Sequence, residues 1–185
     1  VSPYFFSADN RHLYATSNIG RDRKALVLID PATGKEIQTM FAHPEVDVGG
    51  AGWSRLRKVL TSVGYTTDKS HRHFFDDKIR KIYATLEKQL PGYEVALTSI
   101  DKAEEQFVVR TYSDKSRGAY YLFNAKTGAL KKWRDLSPWL NEQDMADMRP
   151  IAFKSRDGLT VHGYLTLPKG KEARNLPVIV NPHGG

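Results

Sequence analysis

Cysteine is absent from all 185 residues, which excludes disulfides, thiolate nucleophiles and cysteine metal centres and leaves packing to stabilise the chain. No redox compartment can be read from it. No apolar run approaches the roughly 18 residues that a bilayer-spanning helix requires, so no membrane insertion is expected. Val1-Ser2-Pro3 lacks an initiator Met, a basic leader and an apolar leader run, so the natural N-terminus is expected upstream. No Gly-x-Ser-x-Gly run occurs between Val1 and Gly185.

What is present suits a folded, mainly β chain. Hydrophobic residues make up 40%, enough for one ordinary core. The formal net charge of +7 comes from basic residues scattered between strands, among them Arg55, Arg57, Lys58, Arg72, Arg80 and Lys81. A nucleic-acid binder gathers such charge on one face, so a solvated surface is the reading and no nucleic-acid partner is expected.

Short β-rich runs span residues 12–16, 25–30, 58–62, 107–112 and 119–124, with turn residues between them. The run Ala25-Leu26-Val27-Leu28-Ile29 is apolar without alternation, as in a strand covered on both faces. A pattern of strand, polar loop, apolar strand and closing turn occurs twice. The turns are Asp30-Pro31-Ala32-Thr33-Gly34-Lys35 and Asn124-Ala125-Lys126-Thr127-Gly128-Ala129, with their first residues 94 positions apart. That is about two units of the roughly 40–50 residues in a four-stranded propeller blade. A middle blade is expected between them, with strands near 58–62 and 71–75, and residues 95–99 begin the next. About three blades are thus expected over residues 1–136.

Ile79, Ile82, Tyr83, Leu86 and Leu90 follow helical spacing, Asp76 and Asp77 offer an N-cap, and Pro91-Gly92 stops the run, predicting a helix inserted in a blade. A second short helix is predicted from Pro138 to Met148, capped by Ser137, within a helical connector over residues 137–150. Beyond Arg149-Pro150 a hairpin is predicted, with Ser155-Arg156-Asp157-Gly158 at its turn and Leu159, Val161, Leu165 and Leu167 on one face. Pro177-Val178-Ile179-Val180 then reads as a short buried strand leading into Asn181-Pro182-His183-Gly184-Gly185. A domain boundary near Pro150 follows.

An apolar strand running into His-Gly-Gly is how α/β-hydrolases place a backbone N–H in the oxyanion hole. The glycines let the backbone turn sharply and approach the developing negative charge, which a Cβ would obstruct. The run Arg156-Asp157-Gly158-Leu159-Thr160-Val161-His162-Gly163-Tyr164-Leu165, followed by Leu176 to Gly185, resembles the start of the hydrolase domain in the prolyl oligopeptidase family. It is most similar to bacterial acylaminoacyl-peptidase and dipeptidyl-aminopeptidase-like members. Tyr14-Ala15-Thr16-Ser17-Asn18, His73-Phe74-Phe75-Asp76, Leu90-Pro91-Gly92, Thr111-Tyr112-Ser113-Asp114 and Ser137-Pro138-Trp139-Leu140 look like the propeller of that group.

The resemblance implies a β-propeller that caps an α/β-hydrolase, excludes folded proteins and admits short peptides to a Ser/Asp/His triad. It places the triad downstream of Gly185, so no catalytic residue lies in this chain, and the chain alone is expected to be inactive. Of the site it leaves His183, Gly184 and Gly185, the oxyanion-hole loop, with Gly185 matching the glycine whose N–H serves the oxyanion. It implies no cofactor and no metal, and a bacterial cytoplasmic or periplasmic location.

Other candidates carry less. His71 and His73 would share a strand face with only Asp76 or Asp77 as further ligands, so a polar strand edge is the plainer reading. Glu104-Glu105 matches in type the paired glutamates that hold a substrate amino terminus in dipeptidyl peptidases, but its setting reads as a polar turn. Ser54, Ser137 and Ser155 lack an elbow context, and Trp53, Trp133 and Trp139 suit packing or interdomain contact. A noncatalytic propeller that binds peptides and an esterase remain as other functions. Three blades cannot close a propeller, so open edges predict association or swapping into a homo-oligomer, or pairing with the rest of the chain.

Overall fold

Two turns of the same geometry, 94 positions apart, organise the chain. In the computed structural model, which describes residues 1–182, the Asp30 N–H donates to the Lys35 carbonyl (3.0 Å) and the Gly34 N–H to that of Asp30 (2.8 Å). The second turn repeats this with Asn124 to Ala129 (2.9 Å) and Gly128 to Asn124 (2.8 Å). Asp30 Oδ1 accepts the Ala32 N–H and Asn124 Oδ1 the Lys126 N–H, each at 2.9 Å. Gly34 and Gly128 hold φ of 69° and 72°, where an L side chain is strained.

Each turn joins the third and fourth strands of an antiparallel meander. The first sheet orders β1 (Ser2–Phe6), β2 (Leu13–Ser17), β3 (Ala25–Ile29) and β4 (Glu36–Phe41). The last orders β8 (Glu94–Ile100), β9 (Gln106–Tyr112), β10 (Ala119–Asn124) and β11 (Leu130–Asp135). Between them stands a sheet of β5 (Val48–Ser54), β6 (Val59–Thr66) and β7 (Ser70–Phe74). The fold is therefore mainly β, a partial propeller of three consecutive meanders, and the middle blade stands where the repeat placed it.

In place of a fourth strand the middle sheet passes into helix α1 (Asp77–Gln89). Asp76 caps it by accepting the Ile79 N–H at 3.0 Å, and Pro91-Gly92 follows its end. Ile79, Ile82, Tyr83, Leu86 and Leu90 are buried against Phe107, Val109 and Phe123 of the last sheet. The helix is thus the filling between two sheets, and its apolar stripe is the one the spacing predicted. A second core, with Leu26, Val48, Leu60 and Val63 at its centre and Phe5, Tyr14 and Trp53 against it, joins the first and middle sheets.

Two expectations are corrected. The helix predicted over Pro138–Met148 is a single 3₁₀ turn, Glu142–Asp144, capped by Asn141 rather than Ser137. Met148 already belongs to β12 (Met148–Lys154), which pairs with β13 (Thr160–Thr166) in the expected hairpin. A few residues with no apolar stripe facing a core cannot sustain an α-helix. Pro177–Val180 forms no strand, and Val178, Ile179 and Val180 are 81%, 94% and 82% exposed. No strand among the described residues pairs with this segment, and β structure needs a partner for its N–H and C=O groups.

Candidate functional site

Because strands reverse, connections cluster at two ends of the sheets. At one end lie the β5–β6 and β8–β9 turns with the start of α1. At the other, the exit end, lie the β6–β7 and β9–β10 turns, the start of β8 and the segment leaving β11.

The first end holds a buried charge network. Glu104, 6% exposed, sits at φ 54° in the β8–β9 turn, which points its carboxylate back between the sheets. It accepts hydrogen bonds from Ser54 Oγ and from Arg57 Nε (3.0 Å), with Lys78 Nζ at 3.5 Å. The same guanidinium grips Asp76 through both terminal nitrogens, one at 2.9 Å, while Asp76 caps α1. The Arg57 hydrogen bond holds the Asp76 carboxyl below the usual carboxylate range. At Glu104, burial pushes the pKa up, but hydrogen bonds from Ser54 and Arg57 outweigh it and leave it lowered. Glu105 instead pairs with Lys126 at 2.7 Å. Glu104 is thus held by partners of this chain in a buried network, and Glu105 forms an exposed ion pair.

The exit end holds an open cleft of about 610 Å³. One wall is the β6–β7 turn with Asp68, Lys69 and Ser70; another is Tyr93-Glu94 and Tyr112; the hairpin closes it with Met148, Pro150 and Tyr164. Polar ties shape it. Tyr164 Oη donates to the Asp68 carbonyl (2.7 Å), Asp114 Oδ2 accepts the Met148 N–H (2.8 Å), and Glu94 Oε2 accepts the Ser70 N–H (3.1 Å). Tyr93 Oη donates to Glu142 Oε2 at 2.6 Å, and that bond to a carboxylate, with burial, pushes the phenol up to about 12. The cleft thus offers aromatic faces, hydroxyls and carboxylates, a surface suited to a short polar or aromatic segment.

The other candidates fall elsewhere. His73 stacks on Phe41 (4.3 Å) and His71 on Tyr65 (5.3 Å), and Asp76 is taken by Arg57. Among the described residues no group of three His, Asp or Glu could hold a metal. Ser155 bonds Asp157 in the hairpin turn, and the buried Ser137 Oγ has no hydrogen-bond partner among the described residues. Trp53 packs on Phe5 (5.0 Å), whereas Trp133 and Trp139 are 64% and 73% exposed. His183, Gly184 and Gly185, the expected oxyanion loop, lie outside the described residues. Sequence reasoning did not single out Tyr93, Tyr112 and Tyr164 as a site. The signal was present, because Leu90-Pro91-Gly92, Thr111-Tyr112-Ser113-Asp114 and the hairpin, which carry the family resemblance, converge on this cleft.

No protein-family model matches the chain. All of it aligns at 29% identity with dipeptidyl aminopeptidase BIII of Pseudoxanthomonas mexicana, and the chain spans 28% of that relative's length. Among solved structures, a chain from a study of two prolyl endopeptidases superposes with a TM-score of 0.57 at 17% identity, over 88% of this chain and 24% of that one. The first similarity runs the whole length of the chain and the second is one of fold. Together they support the resemblance to prolyl oligopeptidase-family peptidases that the motifs carry.

Proposed function

We propose that this chain is the propeller part, with the first strands of the hydrolase domain, of a serine peptidase that hydrolyses short peptides or removes N-terminal dipeptidyl or acyl-aminoacyl groups. The observation that carries the reading is the alignment of the entire chain with a dipeptidyl aminopeptidase. The cleft adds to it, because it opens between the sheets and the hairpin at the end where the chain leaves the propeller.

In this reading the sheets restrict access and the cleft receives part of the peptide. The Gly185 N–H, on the loop begun by His183 and Gly184, stabilises the oxyanion of an acyl transfer whose nucleophile, acid and base lie downstream of Gly185. The 185 residues alone are inactive. The test is hydrolysis of dipeptidyl and acyl-aminoacyl p-nitroanilides, with fluorophosphonate labelling, by the full-length protein and by this chain. Turnover by the full-length protein and labelling of a serine beyond Gly185 are expected. Labelling of a serine within residues 1–185, or no turnover of either substrate by the full-length protein, refutes the proposal.

A further inference from the structure

The seam between the first and middle sheets ends, at the exit end, in a run of stacked rings. His43 lies on Tyr65 (centroids 4.7 Å) and Tyr65 on His71 (5.3 Å), while Phe41 lies on His73 (4.3 Å). Such contacts add to area burial. The two imidazoles flanking Tyr65 are held in opposite ways. His43 Nδ1 accepts the backbone N–H of Glu45 at 3.2 Å, so that nitrogen carries no proton. His71 Nε2 lies 2.9 Å from Thr67 Oγ1, whose proton goes to Asp68 Oδ1 at 2.9 Å. The hydroxyl oxygen therefore accepts and His71 Nε2 donates, with the Asp68 carboxylate 4.0 Å away.

An imidazolium carries N–H on both nitrogens. At His71 that form keeps its hydrogen bond and gains a nearby carboxylate. At His43 it sets N–H against N–H and breaks the bond to Glu45. His43 stands on the connector, residues 42–47, that carries the chain from the first sheet to β5. The connector is tied back at three further points: Arg23 Nε donates to the Glu45 carbonyl (3.0 Å), Asp47 Oδ1 accepts the Lys24 N–H (2.8 Å), and the Val48 N–H donates to the Lys24 carbonyl (3.1 Å). It walls a second cavity of about 530 Å³ shared with Tyr65, His71 and Arg72.

We propose that His43 is an acid-released latch: protonation frees the connector from Tyr65 and opens the exit end beside β5. Arg23 and Lys24 on the first sheet's side and Lys69 and Arg72 of the middle sheet are cationic, and the Asp47 carboxylate accepts the Lys24 N–H. The Glu45 carboxylate takes no hydrogen bond among the described residues, and its attraction through space leaves the clash of N–H against N–H at His43 Nδ1 in place. Asp68 faces His71 rather than His43. Free imidazole changes charge between about pH 5 and 8, which sets the two pH values compared in the test.

The test is amide hydrogen exchange in the full-length protein at pH 7.5 and 5.5, corrected for intrinsic rates. Protection of the Glu45 amide, and of the Val48 amide at the connector's end, is expected to fall about fivefold at the lower pH, as for the loss of one hydrogen bond, relative to those of β3. His43→Asn, whose Oδ1 offers the same acceptor without titrating, is expected to keep the protection at pH 7.5 and abolish the pH dependence. His71→Gln is expected to retain it. A wild-type change under twofold, an unchanged pH dependence in His43→Asn, or its loss in His71→Gln overturns the proposal. Should His43→Asn not fold, the wild-type NMR titration decides: the His43 and Tyr65 ring resonances must move with one midpoint, and independent midpoints overturn it.

Discussion

Arg57 ties the middle sheet to the helix cap and to the last sheet through charged hydrogen bonds, so replacing it by Ala is a sharp probe of what holds the blades together. Its guanidinium bonds Glu104, whose side chain is 7% exposed, and doubly bonds Asp76, at 13%. Hydrogen bonds to charged groups contribute about 1.5–3 kcal/mol, and removing one partner of a buried pair costs about 3–5 kcal/mol. Arg57 is itself 28% exposed, and Glu104 keeps Ser54 and Lys78 while Asp76 keeps the Ile79 N–H. Screening and these residual partners reduce the loss to about 2–3 kcal/mol. Arg57→Lys is expected to lose about 1–2 kcal/mol, because one ammonium cannot span both carboxylates. Arg80→Ala, which breaks an exposed pair with Asp77, should cost under about 0.5 kcal/mol. Urea unfolding followed by tryptophan fluorescence reads this as a midpoint shift of about 1 M for Arg57→Ala at constant slope. Both carboxyls have lowered pKa values in the folded state, so their contribution is complete above the ordinary carboxylate range and lost as pH falls through the lowered values. The advantage of the wild type over Arg57→Ala should therefore narrow below about pH 4. A cost for Arg57→Ala no larger than that of Arg80→Ala would refute the account.

Two more predictions use the same unfolding and titration measurements. Gly118 holds φ 80° and a Cβ there would collide with the Thr111 carbonyl, whereas Gly128 at φ 72° has open space. Gly118→Ala should cost more than about 3 kcal/mol or prevent folding, and Gly128→Ala only about 1 kcal/mol; equal costs in urea unfolding would contradict this. Tyr93 should ionise near 12 when followed by ultraviolet absorbance. Its raised value stabilises the folded state below the ordinary tyrosine pKa and is lost as pH rises through it. Glu142→Gln should bring that midpoint down, and an unmoved midpoint would count against the hydrogen bond.

The elements that could be read from sequence were those whose pattern reports its own environment. β3 is apolar at every position because both faces are covered, and α1 shows a helical stripe because one side meets the last sheet. Asp30 and Asn124 repeat because each closes the same turn by bonding its own backbone. The edge strand β5, Val48–Ser54, was missed because three glycines hide it. Gly52 is needed because a Cβ would press on the Thr61 and Ser62 hydroxyls, a constraint set by β6 that no local pattern records. β11 was missed for the opposite reason, since Lys131 through Asp135 are all exposed and carry no alternation. Glu104 read as a polar turn residue because its partners, Ser54 and Arg57, come from about fifty positions earlier. Pro177–Val180 shows the converse error: its apolar pattern asks for a sheet, and no strand among the described residues supplies one.

The same contrast predicts where the 185-residue chain opens first. The sheets are joined by buried apolar clusters and by the network around Glu104, whereas β12 is exposed at every position. The hairpin is tied by the Tyr164 hydroxyl to Asp68 and by the Met148 N–H to Asp114, with a Lys115–Asp147 pair at 2.5 Å beside them. That pair is solvent-exposed, and such pairs contribute about 0–1 kcal/mol. The hairpin should therefore open without the sheets, as a separate low-stability unit. Hydrogen exchange at Ile151 and Phe153 should be at least about a hundredfold faster than at Val109 and Phe123, and Tyr164→Phe should speed the hairpin amides alone. If hairpin and core amides exchange at one common rate, the buried and exposed ties hold a single cooperative unit and the division between them is wrong.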